Sequence, residues 1–178
     1  MAVQGTGQIP EKLINYKMYV DGAAAASALV DATLPSIEFL TETINGAGIA
    51  GEIESPTIGH TQAMTTELNV RTILDADFSL IEPKSHQFEF RAAQQSTVQS
   101  TGAIEARKLS VVMKTTPLSY DLGTLAVGAP TDGTLTFSVT YLKIEYEEKK
   151  VLEIDKVNMI YNVNGKDYLH VVRNILGI

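Results

Sequence analysis

The chain has 178 residues and no cysteine, so it fits one domain and can form neither disulfides nor thiolate metal sites. Its formal charge is −7 at pH 7, which argues against a protein that binds nucleic acid through a basic patch. No apolar stretch is long enough to span a bilayer and no signal peptide opens the chain, so we expect a soluble protein made in the cytoplasm.

The N-terminal part is predicted to form a loose arm followed by two strands. Residues 1–12 contain glycines and a proline with little periodicity, and a single β domain is expected over residues 13–178. Apolar and polar residues alternate over residues 13–20, which is typical of a strand, and Asp21-Gly22 ends it. The alanine run at 23–26 could be helical by propensity, but the turn before it favours a second strand that pairs with the first.

The segment from residue 36 to residue 59 is too apolar for a solvated loop and too rich in glycine for a stable helix. We expect a long protruding hairpin or loop that docks on a partner, with a loop folded back over its own core as the alternative. Its glycines would let two backbones approach closely. The residues predicted to form this subunit interface are Leu34, Pro35, Ile44, Gly46, Gly48, Ile49 and Gly51.

The middle of the chain alternates in the manner of a sheet. Residues 61–72 place apolar side chains on one face and charged or polar side chains on the other, and residues 87–95 and 104–115 are also typical of strands. Residues 75–85 carry a weak helix signal, with an aspartate near its start and a proline near its end. Residues 116–133 are rich in glycine and proline, which predicts a long surface connection.

The C-terminal pattern shifts its phase. From residue 135 the apolar side chains share one face of a strand, from residue 142 they share the other, and a second run over residues 152–163 shifts in the same way. Such a shift needs a β-bulge or burial that changes sides along the strand. The matching shifts suggest a long hairpin that packs half on its own core and half on a second copy. The alternative is a twisted hairpin bent around a single core.

Two signals end the chain. Asn164-Gly165 is the dipeptide best suited to a tight turn with positive φ at both central positions. Apolar residues then recur at three-residue spacing, which predicts a short helix from Asp167, as its cap, to Gly177, as its stop. Together the elements predict a mainly β protein, an antiparallel β-sandwich or partly closed barrel with one or two short helices and a long protruding loop.

No motif points to catalysis, a cofactor or a metal. Residues 46–51 match G-x-G-x-x-G by letter, but acidic residues and a proline follow where a dinucleotide site needs a helix N-terminus. His60, His86 and His170 lack the spacing of metal ligands. We therefore expect neither an enzyme nor a bound cofactor.

Two segments are distinctive: residues 153–165, EIDKVNMIYNVNG, and Thr33-Leu34-Pro35 followed by residues 45–51, NGAGIAG. In order and spacing they resemble the C-terminal signature and an upstream segment of the major tail tube proteins of contractile-tailed bacteriophages of the P2 type and related contractile bacteriocins. We recognise no resemblance to that family in residues 1–12 and 116–133, so we predict no contacts for them. The residues of the C-terminal signature are Ile154, Asp155, Asn158, Met159, Asn164 and Gly165.

The resemblance implies a structural subunit that does no chemistry. Such proteins form hexameric rings that stack into a tube, whose lumen conducts DNA during genome ejection, or ions in a headless bacteriocin particle. The implied partners are other copies of the chain, the tail sheath, tape measure, baseplate hub and tail terminator proteins, and passing DNA without specific binding; no membrane is involved. The implied location is the virion or bacteriocin particle, assembled in the cytoplasm of the bacterial host.

We predict a lumen wall that is smooth, polar and net negative, because a basic wall would hold the DNA polyanion and slow its exit. The alternative for each candidate face is an ordinary solvated sheet face. The competing function is a soluble β-sandwich binding module of unknown ligand, which the absence of tryptophan disfavours. The lumen candidates are Glu67, Asn69, Arg71, Thr136, Ser138 and Thr140, with Thr134 on the same face.

Overall fold

The computed structural model describes residues 7–25 and 29–178. None of the helices within these ranges is long and apolar enough to cross a membrane. The elements are β1 (Gln8–Val20), β2 (Ala23–Ala24), β3 (Leu29–Thr33), β4 (Phe39–Ile44), β5 (Ile53–Thr61), β6 (Met64–Val70), α1 (Asp75–Leu80), β7 (His86–Val98), β8 (Ile104–Asp121), β9 (Gly133–Tyr146), β10 (Lys149–Asp155), β11 (Ile160–Val163), β12 (Lys166–Asp167) and α2 (His170–Leu176).

One antiparallel sheet of ten strands branches at β9. Its main order is β12-β11-β10-β9-β8-β7-β1-β2, and β6, which also carries β3, pairs with β9 as well. One edge of β9 is therefore divided, with β6 beside residues 133–139 and β10 beside residues 141–146. β8 runs along the other edge of β9. The predicted mainly β, antiparallel fold with short helices is confirmed.

The β4–β5 hairpin forms a separate two-stranded sheet. Every residue of β4 is exposed, and so are most residues of β5. The hairpin does not fold back over the core, so the predicted protruding loop is confirmed.

The core fills the concave side of the branched sheet because apolar residues occupy alternate positions of its strands. Phe88 of β7 and Phe137 of β9 meet edge to face, with ring centroids 4.8 Å apart and neither side chain exposed. Each such side chain contributes roughly 1.5–3 kcal/mol by leaving water. The buried apolar residues of this cluster are Met18, Met64, Leu68, Val70, Leu80, Phe88, Phe90, Val111, Met113, Leu135, Phe137, Val139, Leu142 and Ile154.

A β-bulge at Thr140 explains the phase shift in β9. The residues on either side of Thr140 pair with consecutive residues of β8, so Thr140 has no partner there. The extra residue returns Leu142 to the side that Val139 occupies, and both side chains are buried. Both halves of β9 therefore face a single core, and the prediction that one half packs on a second copy is wrong.

The second apolar run is interrupted by a turn. β10 ends at Asp155, residues 156–159 form the turn, and β11 begins at Ile160. β9 and β10 do form a hairpin, but β11 folds back antiparallel on β10. The predicted single long strand is wrong because the shift of phase is a reversal of the chain. Asn164 and Gly165 have φ of 51° and 85°, which confirms the tight turn.

The N-terminal strands differ from the prediction in two respects. β1 begins at Gln8 and pairs with β7, so residues 8–12 are not a loose arm; residues 1–6 lie outside the described range. β3 pairs with β6 instead of β1, and only β2 adds to β1. The predicted helix within residues 75–85 is confirmed as α1, whose Asp77 carboxylate accepts from the Leu74 N–H at 2.9 Å.

The chain exposes more surface than a compact monomer. Its accessible surface is 11,318 Å² for a mass of 19.3 kDa. The scaling of surface with mass gives roughly 8,500 Å² for a compact protein of that size. The exposed hairpin and the far ends of β1, β7 and β8, where β7 and β8 continue past the end of β9, contribute to this surface.

Deletion of Thr140 should destroy the fold, because the loss of one residue turns Leu142 and Ile144 out of the core and Tyr141 into it. We expect a loss of at least about 3 kcal/mol in the free energy of unfolding, or no soluble protein. Thr140→Ala keeps the extra residue and should cost less than about 1 kcal/mol. Urea unfolding checks both variants, and a deletion variant that unfolds at the native midpoint would refute the role of the bulge.

Candidate functional site: the assembly surfaces

The C-terminal segment forms a seat for the base of the β4–β5 hairpin. Gly59 of β5 lies directly against Leu169, such that a Cβ on Gly59 would stand 2.5 Å from Leu169 Cγ. Phe39 of β4 meets Tyr161 of β11 edge to face, with centroids 5.9 Å apart. These contacts attach the hairpin at its base and leave its tip without support from the described part of its own chain.

Asp155 organises the turn at the centre of this seat. Its carboxylate accepts hydrogen bonds from the N–H groups of Val157 and Asn158, at 3.0 and 2.9 Å, and from Asn158 Nδ2 at 2.7 Å. Burial opposes ionisation of Asp155, but these hydrogen bonds outweigh it, so its pKa lies below the ordinary value. Beside it, Lys156 donates to the Gln62 carbonyl at the hairpin base, and burial lowers the pKa of this ammonium.

Arg173 ties α2 to the same turn. Its guanidinium donates to the Met159 carbonyl at 2.7 Å and to the Asp167 carboxylate at 2.6 Å. Met159 has φ of 52°, a left-handed conformation, and this bond helps to hold it there. Burial would raise the pKa of Asp167, but Arg173 and the Leu169 N–H lower it below the ordinary value.

Asp167 was predicted to cap α2, and this is corrected. The N-cap position belongs to Leu169, and Asp167 instead accepts from the Leu169 N–H at 3.0 Å. Gly177 ends the helix with φ of 75°, as predicted. The outer side of α2 leaves apolar side chains in solvent, including Val171 at 62% and Ile175 at 79% exposure.

The signature residues fall into two groups. Ile154, Asp155, Asn158 and Met159 lie in the hairpin seat, whereas Asn164-Gly165 forms the turn between β11 and β12. No sequence pattern predicted that the first group supports the hairpin. Gly59 is needed because any side chain there would overlap Leu169. That contact joins residues distant in sequence, so the sequence pattern does not reveal it.

The predicted interface residues lie on the exposed hairpin, except Leu34 and Pro35, which directly follow β3. A Cβ at Gly46, Gly48 or Gly51 would meet nothing within 4 Å in this chain, so the close approach expected at these glycines does not occur within one subunit. Gly48 and Gly51 have φ of 94° and 127°, which accounts for glycine there. The apolar members of the set, Leu34, Ile44 and Ile49, are 38–45% exposed.

The lumen candidates gather on the outer face of β3, β6 and β9. Glu67 stands beside Thr136 in the ladder, and Asn69 beside Thr134. A chain of hydrogen bonds crosses the strands, from Thr134 Oγ1 to Asn69 at 2.8 Å and from Asn69 Nδ2 to Asp31 at 2.6 Å. Ser138 lies on the same face, Thr140 is the bulge residue at its end, and Arg71 follows the last residue of β6.

The sheet that carries this polar face has two open edges. β3 pairs only with β6, and residues 116–121 of β8 pair only with β9 among the described residues, since β7 begins opposite Thr115. Apolar side chains stand at both edges: Val30 of β3 is 52% exposed, and Leu118 of β8 is 60% exposed. A shallow groove adjoins the β8 edge and is lined by Ile81, Pro83, Pro117, Leu118 and Tyr120, with polar groups of Thr116 and Ser119. Open edges of this kind pair readily with a further strand.

Within the described ranges, no cluster of three or more metal-binding side chains occurs. The surfaces that could carry function are therefore the hairpin, the polar face and the open strand edges.

A family model and the curated relatives of this chain all point to the same protein family. The family model for phage tail tube protein FII matches residues 10–177. The chain is 26% identical to the major tail tube protein of Serratia phage KSP20 over 159 residues, 89% of this chain and 91% of that protein. It is also 26% identical to the tail tube protein of Escherichia phage P2 over 183 aligned positions, 96% of this chain and 99% of that protein.

A chain from the sheath-tube complex of an extracellular contractile injection system, PVC, in its extended state has a similar fold. The TM-score is 0.54 at 11% sequence identity, with 78% of this chain and 91% of the other covered. At this identity the similarity concerns the fold alone.

Asp155→Asn should destabilise the protein by about 1–3 kcal/mol at neutral pH, because an acceptor for three donors becomes partly a donor. The folded pKa of Asp155 is lowered, so its stabilisation is complete above the unfolded value of about 3.9 and is lost as pH falls through the folded value. Urea unfolding should therefore show a smaller difference between native and variant proteins at pH 3 than at pH 7. Asp132→Asn, in an exposed loop, is the control, and an equal difference at both pH values would contradict the role of the charge.

Gly59→Ala should loosen the hairpin from its seat, because the new methyl group would overlap Leu169 and φ of 66° disfavours alanine. We expect the free energy of unfolding to fall by about 2–4 kcal/mol and proteolysis within residues 39–61 to become faster. Gly46→Ala is a matched control, since it has open space and no positive φ. Identical proteolysis of the two variants would show that the seat does not hold the hairpin.

Proposed function

Because this chain belongs to the phage tail tube protein FII family, whose members are structural proteins and not enzymes, we propose that its copies form hexameric rings that stack into a hollow tube. The chain is a tail tube subunit of a contractile injection particle. The observation that carries the proposed ring is the pair of open edges on the sheet β3-β6-β9-β8. These edges are the two ends of the strand order β3-β6-β9-β8, so one subunit offers two different edges, as a heterologous ring contact requires.

In the proposed ring, β3 of one copy pairs with residues 116–121 of β8 in the next. The sheet would then continue from subunit to subunit around the lumen, which removes both edges from solvent. Val30 of β3 would enter the groove that Ile81 and Leu118 line at the edge of β8. This contact is heterologous, because each copy uses two different surfaces.

The polar face of the same sheet would line the lumen. It carries hydroxyl and amide groups together with Asp31 and Glu67, and Arg71 stands beyond the end of β6. Charges act on passing DNA only within roughly 8 Å at physiological salt, so these wall residues matter more than the net charge. A map of the assembled tube checks the assignment, and a lumen lined by Lys and Arg would contradict it.

The lumen would conduct DNA without specific binding in a phage, or ions in a headless bacteriocin particle. Proposed protein partners are the tail sheath, the tape measure protein, the baseplate hub and the tail terminator. The similarity to a chain of a sheath-tube complex supports a sheath as one of them. Assembly in the cytoplasm of the host is part of the same proposal.

Electron microscopy of concentrated protein tests the ring directly. The native chain and Leu118→Met should give sixfold rings and tubes, because both keep an apolar side chain at the β8 edge. Leu118→Asp should remain monomeric with its unfolding free energy changed by less than about 0.5 kcal/mol, since the side chain is exposed in the monomer. Rings formed by Leu118→Asp at native concentrations would rule out this edge as the ring contact.

A further inference from the structure

We propose that the β4–β5 hairpin of one copy docks along the open edge of β1 in a second copy. This contact rests on the proposed tube and adds to it a second subunit interface with named surfaces. Three independent features make the two surfaces complementary: unpaired backbone edges, exposed apolar side chains and opposite charge.

The outer backbone edges of the hairpin are unpaired within the described residues. β4 and β5 pair with each other and with no other strand in the described part of the chain. A two-stranded hairpin is at best marginally stable in water, whereas an added strand would pair one of its edges. Its apolar side chains also lack cover, with Ile44, Ile53 and Ile58 exposed by 45%, 52% and 65%.

β1 has a matching edge. It pairs with β7 along one side, but on its other side only Tyr19 and Val20 pair, with β2. Between Gln8 and Asn15, no described strand covers the outer side of β1. Ile9, Leu13 and Ile14 on this strand are 47–53% exposed.

Charge distinguishes the two surfaces. Residues 18–70 contain seven acidic residues and neither lysine nor arginine, so they carry the entire net charge of −7. Four of these acids, Glu38, Glu42, Glu52 and Glu54, lie on or beside the hairpin, and none forms an ion pair with the described residues. On β1, Lys12 and Lys17 likewise form no ion pair within the part of the chain described, whereas the one acid of this strand, Glu11, accepts hydrogen bonds from Gln95 and Thr97 of β7.

The two surfaces cannot easily meet within one subunit. The hairpin is attached beside β11, near one end of the strand order, whereas β1 lies near the other end. Five strand spacings separate β11 from β1 in that order, which is roughly 24 Å along the sheet. The contact is heterologous, since the hairpin and the edge of β1 are different surfaces of one chain, so it can join successive copies into a ring or filament.

Exchange of charge tests the contact without knowledge of its register. The β1 variant carries Lys12→Glu and Lys17→Glu, and the hairpin variant carries Glu42→Lys and Glu54→Lys. Each should raise the protein concentration needed for assembly by about 100-fold at low salt, because like charges then face each other across the interface. The chain with all four substitutions should assemble within about threefold of the native concentration, since opposite charges are restored.

The matched control is Lys149→Glu with Lys166→Glu, which makes the same change in net charge at exposed lysines away from β1. It should assemble like the native chain, and thermal melting should show all monomers folded. Assembly is followed by light scattering and electron microscopy. The hairpin contact is wrong if the native chain assembles and the two charge-reversed variants assemble equally well. It is also wrong if the chain with all four substitutions does not regain assembly. In either case the proposed ring is unaffected. If the native chain stays monomeric, the proposed tube fails and this contact fails with it.

Discussion

The structure depends on a single strand that serves two partners along one edge. β9 pairs with β6 over its first half and with β10 over its second, and the bulge at Thr140 keeps both halves directed to one core. Without the bulge, the branch that carries the polar face and the branch that carries the C-terminal segment would turn their apolar sides in opposite directions. The bulge therefore lets a small chain build two differently specialised branches on one hydrophobic core.

The C-terminal signature acts at the junction of these branches. Its turn around Asp155 and the helix held by Arg173 hold the base of a hairpin that precedes them by about a hundred residues in sequence. The hairpin that carries residues 45–51 is thus attached next to the C-terminal signature, through Gly59 and Leu169. The buried, hydrogen-bonded part of the signature supports the hairpin, while the exposed part of the hairpin remains available to neighbours.

Strand alternation, the tight turn at Asn164-Gly165 and the protruding hairpin were predictable, because each is set by local sequence. The phase shift in β9 was also visible, but a bulge and a change of buried side leave the same pattern in sequence. The pairing in the structure decides between these two explanations, because the neighbours of Thr140 pair with consecutive residues of β8, as a bulge requires. The role of Gly59 and the edge contacts of β3 depend on residues distant in sequence, which periodicity does not identify. The polar face was predictable as a strand face, since Glu67 and Thr136 alternate with apolar residues, but their proximity required the topology.

The attachment of the hairpin only at its base affects how association is driven. A segment with few buried contacts opens locally at a much lower free energy than the body unfolds, so its amide hydrogens exchange faster than those of β7 to β9. In the proposed assembly, docking would restrict this motion, and part of the favourable interaction would offset the loss of conformational entropy. Subunit addition would then be weaker than the contact area alone suggests, so misplaced copies would dissociate and be replaced.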